Sequence, residues 1–95
     1  MEPADAIIRY TVSGRVQGVG FRMFVHMHAL SMGLRGWVRN LPTGEVETVA
    51  HGPRERLAQL KALLWRGPAE ADVSDVAAEE LDMTVDLPET FQVRR

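Results

Sequence analysis

Between Ile7 and Met32 the spacing of apolar side chains changes period, and three glycines mark the change. Ile8, Tyr10 and Val12 alternate with more polar neighbours, which is the pattern of a half-buried strand over Ile7 to Ser13. Gly14, Gly18 and Gly20 then break the alternation. From Phe21 to about Met32 the spacing is helical. At about 100° per residue, Phe21, Val25, Ala29 and Met32 share one narrow arc, with Phe24 at its edge. Gly33 suits the position just past the end of that helix. Met23, Met27 and Leu30 lie on a second arc that a surface helix ordinarily keeps polar, so they are either simply exposed or in contact with a partner.

A strand delivered through a glycine turn directly into a helix is one half of a βαβ unit, and the remaining sequence supplies the rest. Leu34 to Leu41 and Glu45 to His51 read as two strands. Pro42-Thr43-Gly44 provides the turn chemistry of an antiparallel hairpin between them. Pro53 is suited to the first position of a second helix, with Glu55 in its first turn and Leu57, Leu60 and Leu64 as its buried stripe. Gly67-Pro68 ends that helix. Val73 to Met83 reads as a fourth strand and Phe91-Gln92-Val93 as a short last one. The order is β-α-β-β-α-β plus a terminal strand. The expected fold class is therefore α+β: a ferredoxin-like (βαββαβ) sandwich, an antiparallel sheet with two helices on one face and strands 1 and 3 central. One domain over residues 1–95 is expected, with 1–6 as a loose N-terminal tail.

Composition narrows the function. The chain has 95 residues, 45% of them hydrophobic and 25% charged, and no Cys. Disulfides, thiolate metal sites and Cys nucleophiles are thus unavailable, and stability must come from packing. A formal charge of -2 argues against nucleic acid as a partner, because phosphate backbones call for a positive excess. No segment approaches the apolar length of a membrane span or has the layout of a secretory signal. A cytoplasmic protein with no membrane partner is expected, and a monomer.

The segment Gly14-Arg15-Val16-Gln17-Gly18-Val19-Gly20-Phe21-Arg22 joins a strand end to a helix start. Glycines allow positive φ, so successive amides can turn inward. The first turn of the helix adds unpaired N–H groups and the positive end of its dipole. Together these form an anion seat. Arg22 can add a forked donor for two phosphoryl oxygens. By itself the loop is not diagnostic, since glycines in such a joint are more often only turn geometry, and neither a dinucleotide fingerprint nor a Walker loop is present. Topology adds a second element. Strands 1 and 2 of a split βαβ run in the same direction with strand 3 between them, so their C-terminal ends share one edge. Asn40, ending strand 2, would then lie roughly 10 Å from the glycine loop, room for a phosphoryl group and one water.

These two segments resemble the motifs of the acylphosphatase family. Residues 14–22 match its phosphate-loop motif, and Gly36-Trp37-Val38-Arg39-Asn40 matches its second. Gly44-x-Val46-Glu47, Gly52-Pro53, Gly67-Pro68-x-x-Ala71-x-Val73 and Phe91-x-Val93 extend the likeness over Ile8 to Val93. The resemblance implies a metal-free, cofactor-free hydrolase that cleaves the carboxyl–phosphate bond of acyl phosphates, with inorganic phosphate as product and inhibitor. It implies that the amides of Arg15, Val16, Gln17, Gly18, Val19, Gly20 and Phe21 cradle the phosphoryl oxygens, that Arg22 binds the same group, and that Asn40 holds the attacking water. An Asn amide has no usable pKa near neutrality, so it can orient water but cannot act as a base. A loose phosphoryl-transfer transition state asks mainly for positioning and charge stabilisation. The alternative is a non-catalytic anion-binding module on the same fold. Some larger maturation proteins begin with an acylphosphatase-like domain, but the absence of a Cys-rich extension favours a free-standing enzyme.

Other polar residues carry blander readings. His26 and His28 are roughly 200° apart on their helix and cannot face one ion, and His51 ends a strand away from the loop. Glu45/Glu47 and Glu79-Glu80 read as solvated strand or turn residues. Trp37 alternates with Val38, so one of them faces away from the helices. A stacking role for Trp37 in RNA binding lacks the aromatic strand pattern and the charge that such domains have.

Overall fold

The computed structural model describes residues 4–95. Seven elements follow in the order β1 (Asp5–Arg15), α1 (Phe21–Ser31), β2 (Arg35–Asn40), β3 (Val46–Pro53), α2 (Arg54–Arg66), β4 (Asp72–Leu81) and β5 (Gln92–Val93). The strands form one sheet in the order β4-β1-β3-β2-β5, with β1 and β3 central as expected. The first four strands pair antiparallel. The sheet is nevertheless mixed, because β5 joins the edge of β2 in parallel, Trp37 opposite Gln92 and Val38 opposite Val93. A parallel neighbour at that edge follows from the chain's route, since residues 82–91 cross the sheet between β4 and β5.

β1 begins earlier than its alternation suggests. Asp5 and Ala6, expected in a loose tail, already pair with Pro53 and Gly52, and Ala6 is buried. Residues 1–3 of that tail lie outside the described residues. Ala and Asp have little strand propensity, but the length of the partner β3 extends the ladder over them. Pro53 is likewise shifted by one position: it is the N-cap of α2 rather than its first helical residue. Gly33 takes φ 67° just beyond the C-cap Met32, as the helix end requires.

Period two then sorts the two faces of the sheet. Ala6, Tyr10 and Val12 of β1, Val38 of β2 and Val46 and Ala50 of β3 point to the helices. There they pack with Phe21, Val25 and Ala29 of α1 and Leu57, Leu60 and Leu64 of α2. The Tyr10 hydroxyl donates to the Leu57 carbonyl across this core at 3.0 Å, fixing α2 to the central strand. The opposite face is covered by chain as well. Ile7 and Val49 are buried under Leu87, with Trp37 and Leu81 alongside. Arg35 Nη2 donates to the Leu87 carbonyl at 2.8 Å and so fastens the crossing segment over the sheet. Trp37 thus packs on the second face as a half-buried residue, with the guanidinium groups of Arg39 and Arg94 5.1 and 5.2 Å from its ring centre.

Candidate active site

α1 starts at Phe21, directly after a run in which Gly18 and Gly20 have φ 74° and 78°. Both values are in the left-handed region, where only glycine rests without strain. Gly20 is the N-cap of α1, no side chain caps the helix, and its first turn holds no acidic residue. Among the described residues, no backbone bond outside the helices and strands uses an amide of Val16 to Phe21 as donor. The helix end therefore presents open N–H groups and positive potential to whatever occupies the space before it.

That space is a cleft of about 120 Å³ lined by Val16, Gly18, Gly20, Phe21, Arg22, Met23 and Asn40. Asn40 reaches it because it shares the sheet face of Val38, two residues earlier, which is the face α1 covers. The loop and the end of β2, separate in sequence, thus meet at one edge of the sheet. No Asp or Glu lines the cleft. A larger cavity of about 410 Å³ lies on the other face, between Arg35, His51 and the crossing residues Met83 to Leu87. It has no part of the glycine loop or Asn40 in its walls, and Arg35 is already engaged with Leu87. The small cleft, with its converging donors, is the chemically equipped one.

Two contacts fix the donors. Gln17 Nε2 donates to the carbonyls of Leu41 and Glu45 at 2.8 and 2.9 Å, tying the loop to the β2–β3 hairpin. Arg22 Nη1 donates to the Arg94 carbonyl at 3.0 Å, which leaves most of its five N–H donors for a ligand. Arg94 is in turn pinned, since its amide donates to the Val38 carbonyl at 2.7 Å. Both Arg22 and Asn40 are thereby referenced to the same stretch of β2.

Of the residues expected in the seat, Val16, Gly18, Gly20, Phe21, Arg22 and Asn40 line the cleft and three do not. Arg15 is the exposed last residue of β1, opposite Asp72. Gln17 turns its side chain to the hairpin, and Val19 packs against the core. Sequence reasoning missed the side-chain role of Gln17, the backbone role of Arg94 and the presence of Met23 in the cleft wall. Only Met23 had a signal, its apolar character on the outer arc of α1. No three His, Cys, Asp or Glu side chains gather as a metal ligand set among the described residues. The resolved titration shifts lie elsewhere. Burial raises the Tyr10 phenol to about 12. Arg54 lowers the Glu80 carboxyl, and hydrogen bonds from Thr84 lower that of Asp82.

The acylphosphatase family model matches residues 8–93. The chain belongs to the acylphosphatase family. As a member it is an enzyme, a hydrolase. An acylphosphatase of Nitrosococcus oceani is 47% identical over 89 residues, 92% of this chain and 96% of that one. The solved acylphosphatase of Coxiella burnetii superposes with a TM-score of 0.87 at 46% identity, over 95% of this chain and 93% of that one. The acylphosphatase of Bacillus subtilis gives 0.88 at 36% identity, over 94% and 98%. No helix among the described residues is long and apolar enough to cross a membrane.

Proposed function

We propose that the chain hydrolyses acyl phosphates in this cleft, as a cytoplasmic monomer, with Arg22 and the loop amides seating the phosphoryl group and Asn40 orienting the water. The observation that carries the reading is the convergence of the open helix terminus, Arg22 and Asn40 on one cleft that contains no carboxylate. Oxygen from water bonds to phosphorus as the phosphorus–oxygen bond to the acyl group breaks. The products are a carboxylate and inorganic phosphate. With no general base in the walls, the water proton passes to a phosphoryl oxygen. The carboxylate is a good leaving group and needs no acid to assist it. What the protein contributes is position and fixed positive charge where negative charge spreads over the phosphoryl oxygens.

The test is release of phosphate from benzoyl phosphate in the presence of a chelator, with inorganic phosphate as competitive inhibitor. Asn40→Ala should lose on the order of 100-fold or more in kcat while the phosphate inhibition constant and thermal midpoint stay close to the parent's, because a positioned water rather than the anion seat is removed. Near-normal turnover by that variant would remove Asn40 from the mechanism. Phosphate binding without turnover by the parent chain would leave an anion-binding module instead.

A further inference from the structure

The donors that line the cleft are the ones that would take the phosphoryl oxygens, so the oxygen leading to the acyl group points away from them. The acyl group of a substrate so seated extends toward the rim. On that rim Met23 both lines the cleft and is 61% exposed. Met27, one turn on, is 59% exposed, and Leu30 is 46% exposed. Positions 23, 27 and 30 follow the i, i+4, i+7 spacing of one helix face, so an apolar strip leads out from the phosphoryl seat along α1. Isolated exposed apolar side chains are ordinary, but a strip that begins in the wall of the reaction site is not isolated. α1 carries no acidic residue, and the strip itself consists of Met23, Met27 and Leu30. The strip therefore offers no carboxylate with which to recognise a cationic acyl part.

We propose that Met23, continued by Met27, is the seat of the acyl group and biases the enzyme toward acyl phosphates with apolar, above all aromatic, acyl parts. A thioether suits this task. It is polarisable, adapts its shape and makes favourable contacts with ring edges. The inference rests on the hydrolase reading above and adds the substrate class.

The experiment compares kcat/KM for benzoyl phosphate and acetyl phosphate in the parent, Met23→Ala, Met23→Leu and Met27→Ala, together with the inhibition constant of inorganic phosphate. Each methylene buried is worth about fourfold in affinity. The parent should prefer benzoyl phosphate, and Met23→Ala should shrink that preference about three- to tenfold, chiefly through KM. Met27→Ala should shrink it about twofold, and Met23→Leu should retain most of it. A preference unchanged in Met23→Ala overturns the proposal. So does an equal loss on both substrates with a matching rise in the phosphate inhibition constant, which would put Met23 in the phosphoryl seat. Absence of turnover by the parent on both substrates would instead overturn the hydrolase reading, and the acyl seat with it.

Discussion

The fold repeats itself: β1-α1-β2 and β3-α2-β4 are two strand–helix–strand units, and their strand-to-helix joints differ in almost every respect that matters for binding an anion. At the first joint five residues, 16–20, separate strand from helix, two of them glycines with positive φ. At the second, β3 ends at Pro53 and α2 begins at Arg54 with nothing between them. Pro53 has no N–H to offer, the Arg54 amide is taken by the Ala4 carbonyl at 2.9 Å, and Glu55 puts a negative charge in the first turn. The first helix keeps its terminus open and free of acid. Topology supplies two equivalent places for a site, at opposite edges of the sheet. Spare backbone, and the absence of a competing carboxylate, make the first of them the better seat for an anion.

The sharpest way to break this contrast is to remove the arginine at each joint. Arg22→Ala should lower kcat/KM for benzoyl phosphate by about 1,000-fold or more and abolish inhibition by phosphate, since it removes charge from the transition state. Arg54→Ala removes an exposed pair with Glu80 and should leave turnover unchanged, at a stability cost of about 1 kcal/mol or less. Comparable rate losses in the two variants would mean that the joints are not functionally distinct.

A smaller effect is expected from Gly20→Ala. A Cβ there would meet no atom within 4 Å, so the cost is confined to φ 78°. Left-handed backbone costs an L-residue about 1–2 kcal/mol. Part of that strain relaxes by turning the neighbouring amides, and KM and the phosphate inhibition constant should both rise roughly tenfold. An unaltered phosphate affinity would show that the seat does not depend on this backbone geometry.

Much of the contrast was legible in the chain itself, because the period change over Gly14 to Phe21 and the Gly-Pro junctions are local signals. What was hidden is non-local. The entry of Asp5 and Ala6 into β1 depends on the length of β3. The covering of the second face depends on Leu87 meeting Ile7 and Val49. The anchoring of Arg22 and of the loop uses carbonyls, those of Arg94, Leu41 and Glu45, which any residue type supplies. The roles of Arg22 and Asn40 were suggested by family motifs; the structure adds that both lie at one cleft.

The least effect concerns how the two units are held together. Tyr10 of the first unit donates to Leu57 of the second, and burial raises its phenol to about 12. An unfolded phenol ionises near 10. The link is therefore intact below pH 10 and is lost as pH rises toward and through about 12. Denaturant midpoints should fall across that window, and Tyr10→Phe should flatten the fall at a neutral-pH cost of about 1 kcal/mol. As the chain has one Tyr, its absorbance reports the ionisation directly. A phenol titrating near 10 in the folded protein would contradict the buried link.

The hold of Arg94 on Arg22 sets an order of events as the chain folds. The loop amides and the start of α1 are neighbours in sequence and can assemble early, but the carbonyl that orients the guanidinium is 72 residues away. A contact of that separation comes after the entropy of closing a long loop has been met. The loop amides can thus gather before the guanidinium beside them is oriented. The far end of the chain, by clipping onto β2, is what finally sets the direction of the Arg22 side chain.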